Sequence, residues 1–290
     1  AFISGIYEEL LESIDKVNLS VFKVWKNDGF KSAWNSINGN FLLALFSGIA
    51  ISILSLAKAI KLLLHNEPVL LWSFFFGLVL ASILYIAKQI QGWTAKIIIA
   101  VIITSILSYF ITLAEPFASP DSSLYLLFCG FIAIIAMILP GVSGAFILLI
   151  LGAYQTAIDT INNLVEGLTT ANMALFKDAL LKFTLLAIGA IIGLKVFSKT
   201  LNWMFKHQKN LTLAILTGFM IGSLNKIWPW KKVLKTRINS EGETVTLLDK
   251  SILPNAYDGD NQLQMALLFI VIGFAAILIL ESLGKQKNKA

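Results

Sequence analysis

The stretch "ILPGVSGAF", residues 138–146, sets Pro140, Gly141, Val142, Ser143 and Gly144 inside an apolar run. Proline has no amide hydrogen and clashes with the turn before it, while glycine accepts backbone angles that other residues resist. The string predicts one helix ending near Leu139 and another starting near Ser143. A helix N-terminus carries unpaired N–H groups and a partial positive charge, which is the chemistry of an anion site. The Ser143 hydroxyl can cap that second helix and also donate to an anion. The competing reading is a Pro-Gly kink in an ordinary span, healed by neighbouring helices.

Ionisable groups within the apolar segments add to this chemistry. Lys58, Lys195 and Lys199 sit where a charge is costly and must face a cavity, a partner or the interface. Lys195 precedes Lys199 by one helical turn, on the same face. An ammonium suits a phosphate as a point charge, and snorkelling of the stem to the headgroups is the alternative. Tyr7 and Tyr154 are candidate hydroxyl donors to phosphate or interfacial anchors. Glu12 and Asp159 are candidates for carrying a coupling proton, against the reading of solvated helix faces. No His, Cys or Asp cluster has metal-ligand spacing, so no metal and no cofactor are expected. Ser143 has no histidine near it in sequence, which leaves an intramembrane phosphatase without its nucleophile and base.

The elements that must position these groups are membrane helices. Of the 290 residues, 57% are hydrophobic and 14% charged, against about 25% charged in soluble domains. Mean hydropathy is +0.78. A span needs about 20 apolar residues, and candidates cover 40–63, 68–87, 97–114, 179–204 and 264–283, with a shorter one at 210–224. Residues 124–158 suffice for two passes, or for a hairpin that enters and returns. Residues 15–39 mix Lys, Trp and Phe as an interfacial segment does. The polar stretch 231–262 has two β-prone runs around "NSEGE" and predicts a small β-hairpin outside the membrane. It holds Arg237, read as a solvated loop charge. The net charge of +6 is dispersed between spans and is no nucleic-acid signal. Single Cys129 excludes an internal disulfide. The opening residues carry no basic stretch ahead of an apolar core, so no signal peptide is expected among them.

The chain also matches itself. Shifted by 147, Ile3/Ile150, Gly5/Gly152, Tyr7/Tyr154 and Ile14/Ile161 are identical. Shifted by 141, Gly48/Gly189, Lys58/Lys199, Leu70/Leu211, Gly77/Gly218 and Ser82/Ser223 match. The expected fold is all-α and polytopic. Two units, 1–114 and 115–290, would each be a re-entrant helical hairpin followed by three spans. An odd number of spans inverts the second unit relative to the first. The first unit's Pro-Gly motif would fall just before Ala1.

"FIAIIAMILPGVSGAFILLILGAY" (131–154), "AFISGIYEELLESI" (1–14) and "LTGFMIGSLNKIWP" (216–229) resemble the bacterial polyprenyl-phosphate transporter family, long catalogued as a domain of unknown function. The string Ala-Met-x-x-Pro-Gly-x-Ser-Gly, Ala136 to Gly144, is its specific part, and Ala145 follows where a serine or similar small residue is common. The resemblance implies a flippase returning undecaprenyl phosphate across the bacterial cytoplasmic membrane for cell-wall synthesis. It implies no enzymatic activity. The expected partners are the polyprenyl phosphate lipid and the bilayer, with a homo-oligomer left open and no nucleic acid. From the residues alone, a small inorganic anion would use the same helix-terminus chemistry.

Overall fold

Pro68, with its φ already set for a helix, opens the first helix that packs on both sides, α4 (Pro68–Ala87). The computed structural model describes residues 6–18, 20–115, 122–140, 143–238 and 244–287. Before α4 come α1 (Tyr7–Lys16), α2 (Ser20–Ser36) and α3 (Gly39–Asn66). After it come α5 (Ala95–Leu113), α6 (Ser123–Ile138), α7 (Gly144–Ile150), α8 (Tyr154–Thr169), α9 (Met173–His207) and α10 (Lys209–Ser223). Strands β1 (Lys231–Ile238) and β2 (Thr244–Ser251), a short 3-10 turn at Pro254–Ala256 and α11 (Leu263–Lys287) complete the chain.

Among the described residues, four helices are long and apolar enough to cross a membrane: α4, α5, α9 and the first 20 residues of α11. The bent pair α7 and α8, turned by 109°, makes a fifth if counted as one span. Their outward faces carry large exposed apolar side chains such as Ile99, Phe110, Ile191 and Val271. In water that would be untenable; in hydrocarbon it is the required surface.

Helix pairs are joined by small residues. α4 and α11 start together, where the Gln262 amide donates to Glu67 at 3.0 Å, and a Cβ on Gly77 would overlap the Ile270 carbonyl. α5 and α10 start together at the opposite end, where Asn210 Nδ2 donates to the Gln91 carbonyl at 2.6 Å. A Cβ on Gly218 would overlap Thr104 and the Val101 carbonyl. The two parallel pairs therefore run in opposite directions. α6 lies along α9 through Gly130, Gly189 and Gly193, each against backbone of the other helix. Without a hydrophobic drive between helices in lipid, such close backbone approach is what holds them. The principal core cluster, with Ile83, Ile86, Leu213, Leu216 and Phe205, joins α4, α9 and α10 and takes in Tyr7 and Leu11 of α1.

Several sequence expectations meet refinements here. The span expected at 179–204 is α9, which begins earlier because the Asn172 side chain caps it, accepting from Leu175 N at 3.2 Å. The segment 15–39, expected to be interfacial, contains α2, which is broken at Gly29 (φ 82°), where glycine's missing Cβ permits the turn. The β-hairpin forms as expected, antiparallel with Lys231 opposite Ser251 and Ile238 opposite Thr244; the Arg237 side chain lies outside the described residues. Residues 124–158 form the hairpin α6–α7, followed by α8.

Valine at Gly77 or Gly218 should cost about 1–3 kcal/mol through overpacking against backbone. The expected result is a lower unfolding temperature in detergent for both variants. Ile99→Val, on the lipid-facing surface, should leave it unchanged.

Candidate functional site

The break lies between α6 and α7. α6 ends at Ile138, Leu139 is extended (ψ 125°), and Pro140 sits in a turn. Gly141 and Val142 lie outside the described residues. Ser143 is the N-cap of α7, its Oγ accepting from Phe146 N at 3.5 Å, as its residue type predicts. α7 then runs back along α6: Gly144 packs on Ala133 and Met137, and seven residues later the Leu151 carbonyl accepts from Tyr125 Oη at 2.9 Å. This is a re-entrant hairpin rather than a kinked span. It closes with Gly152 in the left-handed region (φ 69°), where Gly152 N bonds Leu149 O and Ala153 N bonds Leu148 O.

Tyr7 reaches this break from α1. Its hydroxyl donates to the Ile138 carbonyl at 3.1 Å, and its ring meets Phe205 edge-on at 5.8 Å. The last carbonyls of a helix have no intrahelical donor, so Tyr7 pairs a group that the break sets loose. Lys195 serves the other end of α1, donating to the carbonyls of Ile14 (3.1 Å) and Asp15 (3.4 Å). An ammonium at a helix C-terminus also meets the negative end of its dipole.

The other predicted residues are not gathered at the break. Lys199 is exposed on α9 although it follows Lys195 by one turn. Lys58 belongs to α3, and its side chain lies outside the described residues. Tyr154 begins α8 as Tyr7 begins α1. Glu12 sits 3.9 Å from Lys16 and 3.8 Å from Lys206, exposed contacts worth little. Asp159 is exposed and accepts from Gln155 Nε2 at 2.8 Å. No group of three or more His, Cys, Asp or Glu could hold a metal among the described residues.

Sequence reading missed a cluster beside α7. Lys226 Nζ lies 2.6 Å from Asp249 Oδ1 and 4.6 Å from the centre of the Phe146 ring. Lys231 Nζ lies 3.6 Å from Asp249 Oδ2, donates to the Lys226 carbonyl at 2.7 Å, and stands 3.9 Å from the centre of the Trp72 ring. Trp228 and Trp230 fix the base of the hairpin, their indoles donating to the carbonyls of Ile252 and Asn261, each at 2.8 Å. The available signal was "NKIWPWKK", 225–232, where paired aromatics and lysines follow a span directly. Burial pushes the Lys231 ammonium down from 10.5 to about 8, against the pull of Asp249 and with the push of Lys226.

These features define a multi-pass α-helical membrane protein with a re-entrant hairpin. The family model described as undecaprenyl phosphate translocase-like matches residues 1–245. A polyprenyl-phosphate transporter of Vibrio cholerae serotype O1 is 40% identical over 290 residues, all of this chain and 90% of that protein. One from Staphylococcus aureus is 28% identical over 203 residues, 65% of this chain and 68% of that protein. No solved structure matches. The chain belongs to the undecaprenyl phosphate translocase-like family.

Two predictions follow from this geometry. Tyr7→Phe and Lys195→Met should each cost about 1 kcal/mol, the net worth of one such bond, and Lys195→Met should speed tryptic cleavage after Lys16 as α1 loosens. Between about pH 8 and 10.5 the unfolded chain holds the Lys231 proton and the folded chain does not, so this group adds stability as pH rises. The unfolding temperature of wild type, less that of Lys231→Met, should therefore increase from about pH 8 to 10.

Proposed function

We propose that this protein moves undecaprenyl phosphate, or a closely similar polyprenyl phosphate, across the bacterial cytoplasmic membrane, returning the carrier lipid for cell-wall synthesis. The relatives named polyprenyl-phosphate transporters support the substrate class. The observation that carries the reading at this chain's own residues is the re-entrant break. Two helix ends meet at the break, one capped by the exposed Ser143 and the other answered by Tyr7. A phosphate headgroup at Pro140–Gly144 would meet N–H groups and the Ser143 hydroxyl, while its tail stays in lipid.

In this reading Tyr7 and Lys195 hold α1 against the break and against α9. The repeat-matched Lys58 and Lys199 would guide the headgroup along the flanks, and Glu12 and Asp159 are the carboxylates that could carry a coupling proton. Tyr154 would do for α8 what Tyr7 does for α1. The two units, 1–114 and 115–290, are read as inverted copies that rock against each other. Three features support this: the opposed directions of the α4–α11 and α5–α10 pairs, the matched close contacts at Gly77 and Gly218, and the matched buried Ser13 and Thr160.

The test is reconstitution into liposomes with labelled undecaprenyl phosphate. Wild type should change the lipid's accessibility across the bilayer. Gly144→Leu, which would collide with Met137 and the Ala133 carbonyl, should abolish that change. Lys58→Ala and Lys199→Ala should slow it. Wild-type protein that leaves the lipid where it was would sink the reading, and normal movement by all three variants would sink the placement of the site.

A further inference from the structure

The Lys226–Asp249–Lys231 cluster has two ammonium groups on one carboxylate, in a place where charge is expensive. The Lys231 side chain is 11% exposed and that of Asp249 17%. Two cations sharing one anion leave a positive charge that no carboxylate of the cluster answers, and the remaining partners are the faces of Trp72 and Phe146 and a backbone carbonyl. A tidier structural pair would need only one lysine. The strand register explains how they meet: Asp249 lies opposite Val233, so Lys231, two residues earlier, is its diagonal neighbour on the same face of the hairpin.

Position gives the cluster its meaning. Phe146, under the Lys226 ammonium, is three residues past the Ser143 cap. Lys226, with its side chain 30% exposed, is the accessible member and stands beside the first turn of α7. Lys231 is anchored behind it on Trp72 of α4.

We propose that Lys226 and Lys231 form a landing site for a phosphate monoester on the hairpin-bearing side of the protein, with Asp249 occupying the place of the phosphate until the headgroup arrives. The inference rests on the reading that a phosphorylated lipid passes through the break. The headgroup oxygens replace the Asp249 carboxylate as acceptors for both ammonium groups, and Asp249 turns to solvent. The displaced carboxylate competes for the same lysines, so the site holds its ligand and also releases it.

Farnesyl monophosphate, a short soluble isoprenyl phosphate, tests this by calorimetric titration of the purified full chain in detergent. Trp72 fluorescence, with Trp72→Phe as the control, reports movement of the Lys231 ammonium over its ring. Lys226→Met and Lys231→Met should each weaken binding by about tenfold, and Asp249→Asn should tighten it by about tenfold, as expected for charge-assisted bonds. The tightening is a gain that a misfolded variant cannot mimic. Unchanged affinity in both lysine variants, or weaker binding by Asp249→Asn, overturns the proposal. Inorganic phosphate that competes as well as farnesyl monophosphate assigns the pair to free phosphate and overturns the lipid site. If the expected binding pattern holds while wild-type liposomes leave labelled polyprenyl phosphate unmoved, the transport reading fails and the phosphate site stands.

Discussion

In hydrocarbon a backbone amide or carbonyl without a partner costs several kcal/mol, and that constraint organises this molecule. Pro140 interrupts an apolar helix and sets its last carbonyls loose. Each described end is answered: the Ile138 carbonyl by Tyr7, the first turn of α7 by Ser143, the last turn by the Gly152 and Ala153 amides and the Tyr125 hydroxyl. Even the short helix that delivers Tyr7 has its own C-terminal carbonyls met by Lys195. The break is therefore tied directly to α1 through Tyr7 and, through Lys195 on the end of α1, indirectly to α9.

The second constraint is distance. Helices in lipid gain little from burying leucine against leucine, so they gain from approach. Gly77, Gly189 and Gly218 bring backbone against backbone, and three seams result: α4 with α11, α5 with α10, α6 with α9. α3 packs chiefly on its neighbours α2 and α4 and presents exposed apolar side chains along much of its length.

Outside the spans the same economy works with different parts. Among the described residues the β-hairpin has no second sheet to pack on and is instead planted on aromatic rings, Trp228 and Trp230 with Phe76 behind them. That plinth is what allows a buried lysine to stand on Trp72 and reach the carboxylate of Asp249 from the next strand.

Much of this was legible in the residues. The spans at 68–87, 97–114, 179–204 and 264–283, the break at Pro140, the Ser143 cap and the two strands around 239–243 are local consequences of hydropathy, of proline's missing hydrogen and of β-branched runs, so a linear reading finds them. The sequence also placed Lys195 and Lys199 on one helical face, but which of them is engaged depends on where α1 ends, and only packing decides that. Tyr7 and Ile138 are 131 residues apart, and Lys226 and Asp249 meet only because a strand register and two tryptophans bring them together. Local chemistry determined where the helices stop. Tertiary structure decided which distant groups satisfy the ends they leave, because a loose polar group in an apolar medium takes its partner from whatever the fold puts within 3 Å or so.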